Sequence, residues 1–200
     1  MIVDERLIKR LLWVAILVFA VGVYAFVIVG AGEPADPYVV ADEAAAAAPP
    51  GDPARTPLEG FGEVAVTVRP AGGSDLLAWC LLAALQAEQR ARGLMQVTDL
   101  QGYSGMVFVY DEDVTNAFYM RNTPTPLSIA WIASDGTVVS TADMEPCEDR
   151  DGCPTYQPAG PYRTAIEVFQ GGLDELGITA GATVTVGGPC APRATPTSSS

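Results

Sequence analysis

Few side chains in this 200-residue sequence could do chemistry, and the absence of histidine narrows the field first. Without imidazole there is no Ser-His-Asp or Cys-His catalysis, no HExxH zinc site and no imidazole proton shuttle. The one lysine, Lys9, precedes everything else of interest, so Ser74, Ser104 and Ser128 have no Ser-Lys partner either. Carboxylates, arginines, cysteines and methionines remain. Arg121-Asn122-Thr123 ends a strand-like run before Pro124 and Pro126. A guanidinium, an amide and a hydroxyl there could bind a carboxylate or phosphate. The same triplet could equally form a turn, with Asn122 and Thr123 satisfying backbone groups. Glu167 sits in the strand-like run TAIEVF. If it points inward it needs a partner, which Arg121 or Arg92 could supply, as a core brace or as part of a pocket. The candidate ligand-binding set is therefore Arg121, Asn122, Thr123 and Glu167. No catalytic residue, metal or cofactor is implied.

Other constellations favour plain structural readings. Asp143 and Glu145 could form an acid/base pair, but nothing in the sequence fixes their separation, and solvated loop charges are expected. Asp111-x-Asp113-x-Thr115 lacks the glycine and distal glutamate of a calcium loop and is expected to be a hairpin turn. Met95, Met106, Met120 and Met144 fall mostly in apolar runs, which points to core packing rather than a soft-metal site.

The four cysteines, Cys80, Cys147, Cys153 and Cys190, form an even set that suits an oxidising compartment. Cys147 and Cys153 flank a five-residue loop and are natural partners, which leaves Cys80 for Cys190. The rival, a four-cysteine zinc site, requires all four to converge.

The elements that must hold these groups begin after an uncharged run, residues 11–32. Its 22 residues would span about 33 Å as a helix, enough for a bilayer core of about 30 Å. Arg6, Lys9 and Arg10 precede it and no basic residue follows until Arg55, so the expected orientation is residues 1–10 inside and the rest extracytoplasmic. The run is long for a cleaved signal, so an uncleaved single-pass signal anchor in the cell membrane is expected. Residues 33–60, rich in proline and alanine, read as a disordered linker. Residues 61–188 read as the globular domain and 189–200 as a disordered tail. The formal net charge of −13, without a basic stripe, argues against nucleic acid as a partner.

Within 61–188, β-branched and aromatic runs recur at Glu63–Arg69, Met106–Tyr110, Ala117–Arg121, Leu127–Ala133, Thr137–Ser140, Thr164–Phe169 and Thr183–Val186. Ser134-Asp135-Gly136 reads as a hairpin turn. Helix is expected over Leu85–Met95, where Glu88 and Arg92 form an i,i+4 pair, and in a short piece near Gly172–Leu176. Leu76–Leu82 could be strand or helix. The expected fold is α+β: a mainly antiparallel β-barrel or curled sheet of about eight strands, with one or two short helices, preceded by one transmembrane helix.

Several segments together are similar to a known family. They are Glu88-x-Arg90-x-Arg92-Gly93-Leu94-Met95, Gly105–Val109, Phe118–Thr123 and Pro126-Leu127-x-Ile129-Ala130-x-Ile132. Gly136-x-Val138-Val139, Met144-x-Pro146-Cys147 and Ile166-Glu167-Val168 follow in order. Over about residues 75–186 the sequence resembles the domain of unknown function 192 (DUF192), a family of exported or membrane proteins. The resemblance implies a compact β-rich single domain behind a signal or anchor, and a strand at Leu76–Ala83. It implies no reaction. The chain departs from the family pattern at Tyr119 and Arg121, where Trp and Lys are usual. It departs also at Ser128, often Asp, and at Val97, often Arg. The expected function is a membrane-tethered extracytoplasmic binding or accessory module for a small anionic or polar ligand. The alternatives are an envelope hydrolase or lyase using carboxylates, and a structural or assembly partner.

Overall fold

The computed structural model describes residues 55–190. The expected membrane segment, the first part of the linker and the tail beyond Cys190 lie outside them. Among the described residues no helix is long and apolar enough to cross a membrane.

The domain is mostly β. Strands β1 (Gly62–Arg69) and β2 (Leu77–Ala84) form an antiparallel pair. Helix α1 (Ala87–Arg92) leads to β3 (Met106–Val114), which lies parallel to β2. A parallel neighbour requires such a crossover, because a tight turn can join only antiparallel strands. Then come β4 (Phe118–Tyr119), β5 (Leu127–Ile132), β6 (Val138–Met144), β7 (Thr155–Tyr156), β8 (Tyr162–Phe169) and β9 (Thr183–Val186). Seven strands form one sheet in the order β6-β5-β8-β3-β2-β1-β9, while β4 and β7 pair separately.

The sheet is covered on both faces, so β5 shows no alternation of burial and every one of its residues is buried. One face is aliphatic. Val64, Val66 and Val68 alternate inward along β1 and meet Leu81, Val107, Ile132, Ile166 and Val168, with Leu173, Leu176 and Ile178 packed over them. The other face is aromatic and sulfur-rich. Leu82, Met106, Phe108, Trp131 and Tyr162 lie under Leu94, Val97, Leu100, Tyr103, Met120 and Met144. Both disulfides, Cys80–Cys190 and Cys147–Cys153, form as the spacing suggested, and both lie on this second face.

The expected barrel does not close. The two edges touch through a single bridge, Thr137 to Thr183, where the Val184 amide donates to the Gly136 carbonyl at 2.8 Å. β9 has four residues and is already paired with β1, and only the turn before β6 reaches it. That turn is the expected Ser134-Asp135-Gly136 hairpin. Gly136 has φ +86°, and the Asp135 carboxylate accepts from the Thr137 amide and hydroxyl, which holds its pKa below the ordinary value.

Three further expectations change. The second helix is a run of turns, with Leu176 donating to Gly172 and Ile178 to Leu173 without continuing into a helix. Asp111–Val114 is not a hairpin turn. β3 runs on through it, and a register shift against β8 between Val109 and Val114 absorbs the extra residues. The chain also joins the domain before residue 61. Arg55 is buried beside Glu63, Thr56 donates to the Gln101 carbonyl and Leu58 packs on the aromatic face.

Candidate functional site

Glu167 on β8 pairs in register with Met106 of β3 and Ile129 of β5, so its side chain belongs to the aromatic face. It is 5% exposed. Gly105 makes that placement sterically permissible. A Cβ there would stand 2.4 Å from the Glu167 carbonyl oxygen, so the backbone preceding β3 passes too close for any other residue.

The cover of this face is incomplete above Glu167. Helix α1 buries none of its own residues, and Gly93 ends it with φ +48°. The gap is a pocket of about 110 Å³. Arg90, Arg92, Gly93, Leu94 and Met95 line one side, Phe108 and Tyr110 the sheet side, and Ala117–Tyr119 and Thr123 the far side. Phe108 and Phe118 meet edge to face at 5.2 Å, an arrangement that fixes both rings as a wall.

The electrostatics of this pocket are one-sided. Arg90 Nη1 donates to the carbonyls of Leu85 and Val109, the latter at 2.9 Å, and its guanidinium stacks 4.9 Å from the Tyr110 ring centre. Arg92 Nη1 donates to the Glu59 carbonyl at 2.9 Å and lies over Phe61. Neither guanidinium pairs with Glu167. Burial alone pushes the Glu167 carboxyl up to about 8. Burial also raises the Tyr110 phenol. Hydrogen bonding to Tyr162 and the charge of Arg90 offset part of that, while Glu167 adds to it. Tyr162 is raised as well, by burial first and then by Tyr110. A carboxyl that stays largely protonated near neutral pH can donate one hydrogen bond and accept another.

The structure brings together two of the four expected ligand-binding residues. Thr123 is buried and lines the pocket with Glu167. Arg121 faces solvent, with Nε 2.6 Å from Asp149 and Nη1 3.5 Å from Asp151, both in the Cys147–Cys153 loop. Asn122 shapes the turn: its φ is +60° and its carbonyl accepts from Gln96 at 2.8 Å. Sequence reasoning missed Arg90, Phe108, Tyr110 and Phe118. The available signal was the Arg90-x-Arg92-Gly93 spacing, which puts two cations and a chain reversal at the end of one short helix.

The remaining candidates fall elsewhere. Asp143 is exposed and accepts from the Ser128 hydroxyl at 2.6 Å, while that hydroxyl accepts from the Gly171 amide. Glu145 is exposed too, and Glu167 is the sole acid lining the pocket. Met106, Met120 and Met144 are core residues. Glu63 approaches Cys80 and Cys190, but their sulfurs are joined to each other and Glu63 accepts from the Tyr103 hydroxyl at 2.6 Å. The group therefore offers no thiolate to a metal.

The family model DUF192, described as an uncharacterized ACR, matches residues 70–186. Two solved structures share the fold. One is a protein of unknown function from Novosphingobium aromaticivorans DSM 12444. It is 31% identical, has a TM-score of 0.56, and the match covers 68% of this chain and 93% of that one. The other is a candidate transcription regulator from Sinorhizobium meliloti 1021, 24% identical with a TM-score of 0.55. That match covers 63% of this chain and 95% of that one. No curated protein matches the chain.

Proposed function

The chain belongs to the DUF192 family, and from the pocket over Glu167 we propose that it is a ligand-binding module held outside the cytoplasm by a membrane anchor at residues 11–32. The observation that carries the binding role is a carboxyl 5% exposed, without a partner cation, facing an open cavity. Leaving such a group unpaired costs stability, and its position in a cleft supports a functional role. The anchor reading rests on the uncharged run and its flanking charges, with two disulfides fitting an oxidising compartment. Beyond residue 30, eight basic and 22 acidic side chains give net −14, so the domain is repelled by anionic lipid and held near it only by the anchor.

A thermal-shift screen of the full chain in neutral detergent tests the binding role. Small polar and anionic fragments are expected to raise the midpoint of the wild type and leave Glu167→Ala unmoved. Equal shifts in both proteins would remove the pocket from the function. A second reading is favoured by the raised proton affinity of Glu167, which suits a general acid in a lyase. Turnover of a fragment that binds, lost in Glu167→Gln, would select that reading.

A further inference from the structure

Glu167 shares the pocket with Arg90 and Arg92 from α1, Tyr110 from β3 and Tyr119 from β4. Tyr162 stands behind Tyr110, and the flanking sheet neighbours Met106 and Ile129 carry no charge. The pocket thus has two cations along one side and one unpaired acid. Both guanidiniums are committed to backbone carbonyls and aromatic rings, so their charge is fixed in place without reaching Glu167. A cationic ligand would enter against that charge. An anion is drawn in, and meets Glu167 as a hydrogen-bond donor. The O–H···O⁻ bond between a carboxylic acid and a carboxylate is among the short, strong ones. The volume, about 110 Å³, is below the roughly 150 Å³ of a cavity that holds benzene, so the enclosed part of the ligand is small. Phe108 and Phe118 give it an apolar wall.

We infer that the pocket takes a small monocarboxylate, whose anionic group shares a single proton with the Glu167 carboxyl and whose apolar part lies against Phe108 and Phe118. The inference rests on the pocket being the binding site. One proton bridges two carboxyl groups in the complex, and no bond to carbon forms or breaks. Below about pH 8 the free protein already holds that proton. Above it, binding must take the proton from solution, and the Kd rises about tenfold per pH unit.

Calorimetric titration of the full chain in neutral detergent, from pH 6 to 9.5, tests this. The ligands are acetate and propionate, with acetamide and methylammonium as controls. The carboxylates are expected to bind with a flat Kd at low pH and the tenfold slope at high pH. Glu167→Gln, which keeps an N–H donor, is expected to bind them without the slope, and Glu167→Ala to lose them. Affinity that rises with pH, or a slope that survives in Glu167→Gln, overturns the inference. If acetamide or methylammonium bind in a Glu167-dependent way and the carboxylates do not, the pocket stands and its ligand class is wrong. If nothing binds the wild type, both readings fall.

Discussion

The two faces of the sheet solve the same burial problem by different means. The aliphatic face is closed by one continuous stretch, residues 173–182, whose leucines and isoleucine pack onto β-branched side chains. Its buried cluster contains no cysteine, and the acids of the covering stretch, Asp174 and Glu175, are exposed. The aromatic face is roofed by pieces: a six-residue helix with no buried residue, the loop from Leu94 to Tyr103, two short strands and the Cys147 loop. Both disulfides lie on that face, and the pocket opens through the roof beside Glu167. A face covered by several separate pieces can leave a gap that holds an unpaired carboxyl. The two faces thus divide the molecule: one is closed by a single stretch, and the other carries the disulfides and the proposed pocket.

Removing the longer cross-link should break this division most visibly. Cys80 and Cys190 are 110 residues apart, and loss of the bond in Cys80→Ala/Cys190→Ala is expected to cost up to about 4–5 kcal/mol. The short Cys147–Cys153 loop should cost about 2 kcal/mol. Denaturant unfolding measures both. Hydrogen exchange should show protection lost first over residues 94–105 and 145–156, while the amides of Val107 and Ile166 stay protected. Uniform loss across both faces would show that the roof and the aliphatic layer unfold as one unit.

Replacing the acid sharpens the contrast through pH. Glu167 holds its proton to about pH 8 in the folded chain, against an ordinary carboxyl value of 4.5 unfolded. Between those values the folded state binds the extra proton, so stability falls as pH rises through the window. Glu167→Gln removes the dependence. The variant and wild type should match below pH 4.5, diverge by up to about 1.4 kcal/mol per pH unit, and differ by several kcal/mol above pH 8. Thermal unfolding across pH 4–9 measures the difference. Equal stability at every pH would mean that water solvates this carboxyl, and the aromatic face would then carry no buried acid.

The same asymmetry decided what could be read from sequence. β1 was legible because Val64, Val66 and Val68 alternate over one buried layer, and β9 was placed correctly at Thr183–Val186. Strand β2 needed the family resemblance, because LAWCLLAA is buried on both faces and has no period. The two-residue strands β4 and β7 are set by long-range pairing between Phe118 and Tyr156, which no local pattern records. Asp111–Val114 looked like a turn by composition, but pairing with β8 and the Arg163–Asp113 ion pair keep it extended. At the candidate site, the sequence singled out Glu167 and Thr123, which line the pocket, because a polar residue in a strand-like run, or at its end, asks for a reason. Arg90 was not, because two basic residues at the end of a helix read as solvated charge until the fold brings β3 and β4 beside them.

Arg121 sets the smallest expected effect and the sharpest limit on the pocket. Sequence reasoning placed it with Glu167, yet its guanidinium is turned to Asp149 and Asp151, with its side chain 45% exposed. Ion pairs so exposed are screened by water and contribute at most about 1 kcal/mol. Arg121→Met is therefore expected to lower stability by less than that and to leave fragment binding at Glu167 unchanged. Arg90→Met, in contrast, removes a cation that lines the pocket and should weaken anion binding several-fold. Parallel binding isotherms for the two variants compare them directly. If Arg121→Met weakens binding as much as Arg90→Met, the site extends beneath the Cys147 loop and the disulfide there belongs to the binding machinery. If it does not, that loop serves only to fasten the roof, and recognition is confined to the side chains between α1 and β8.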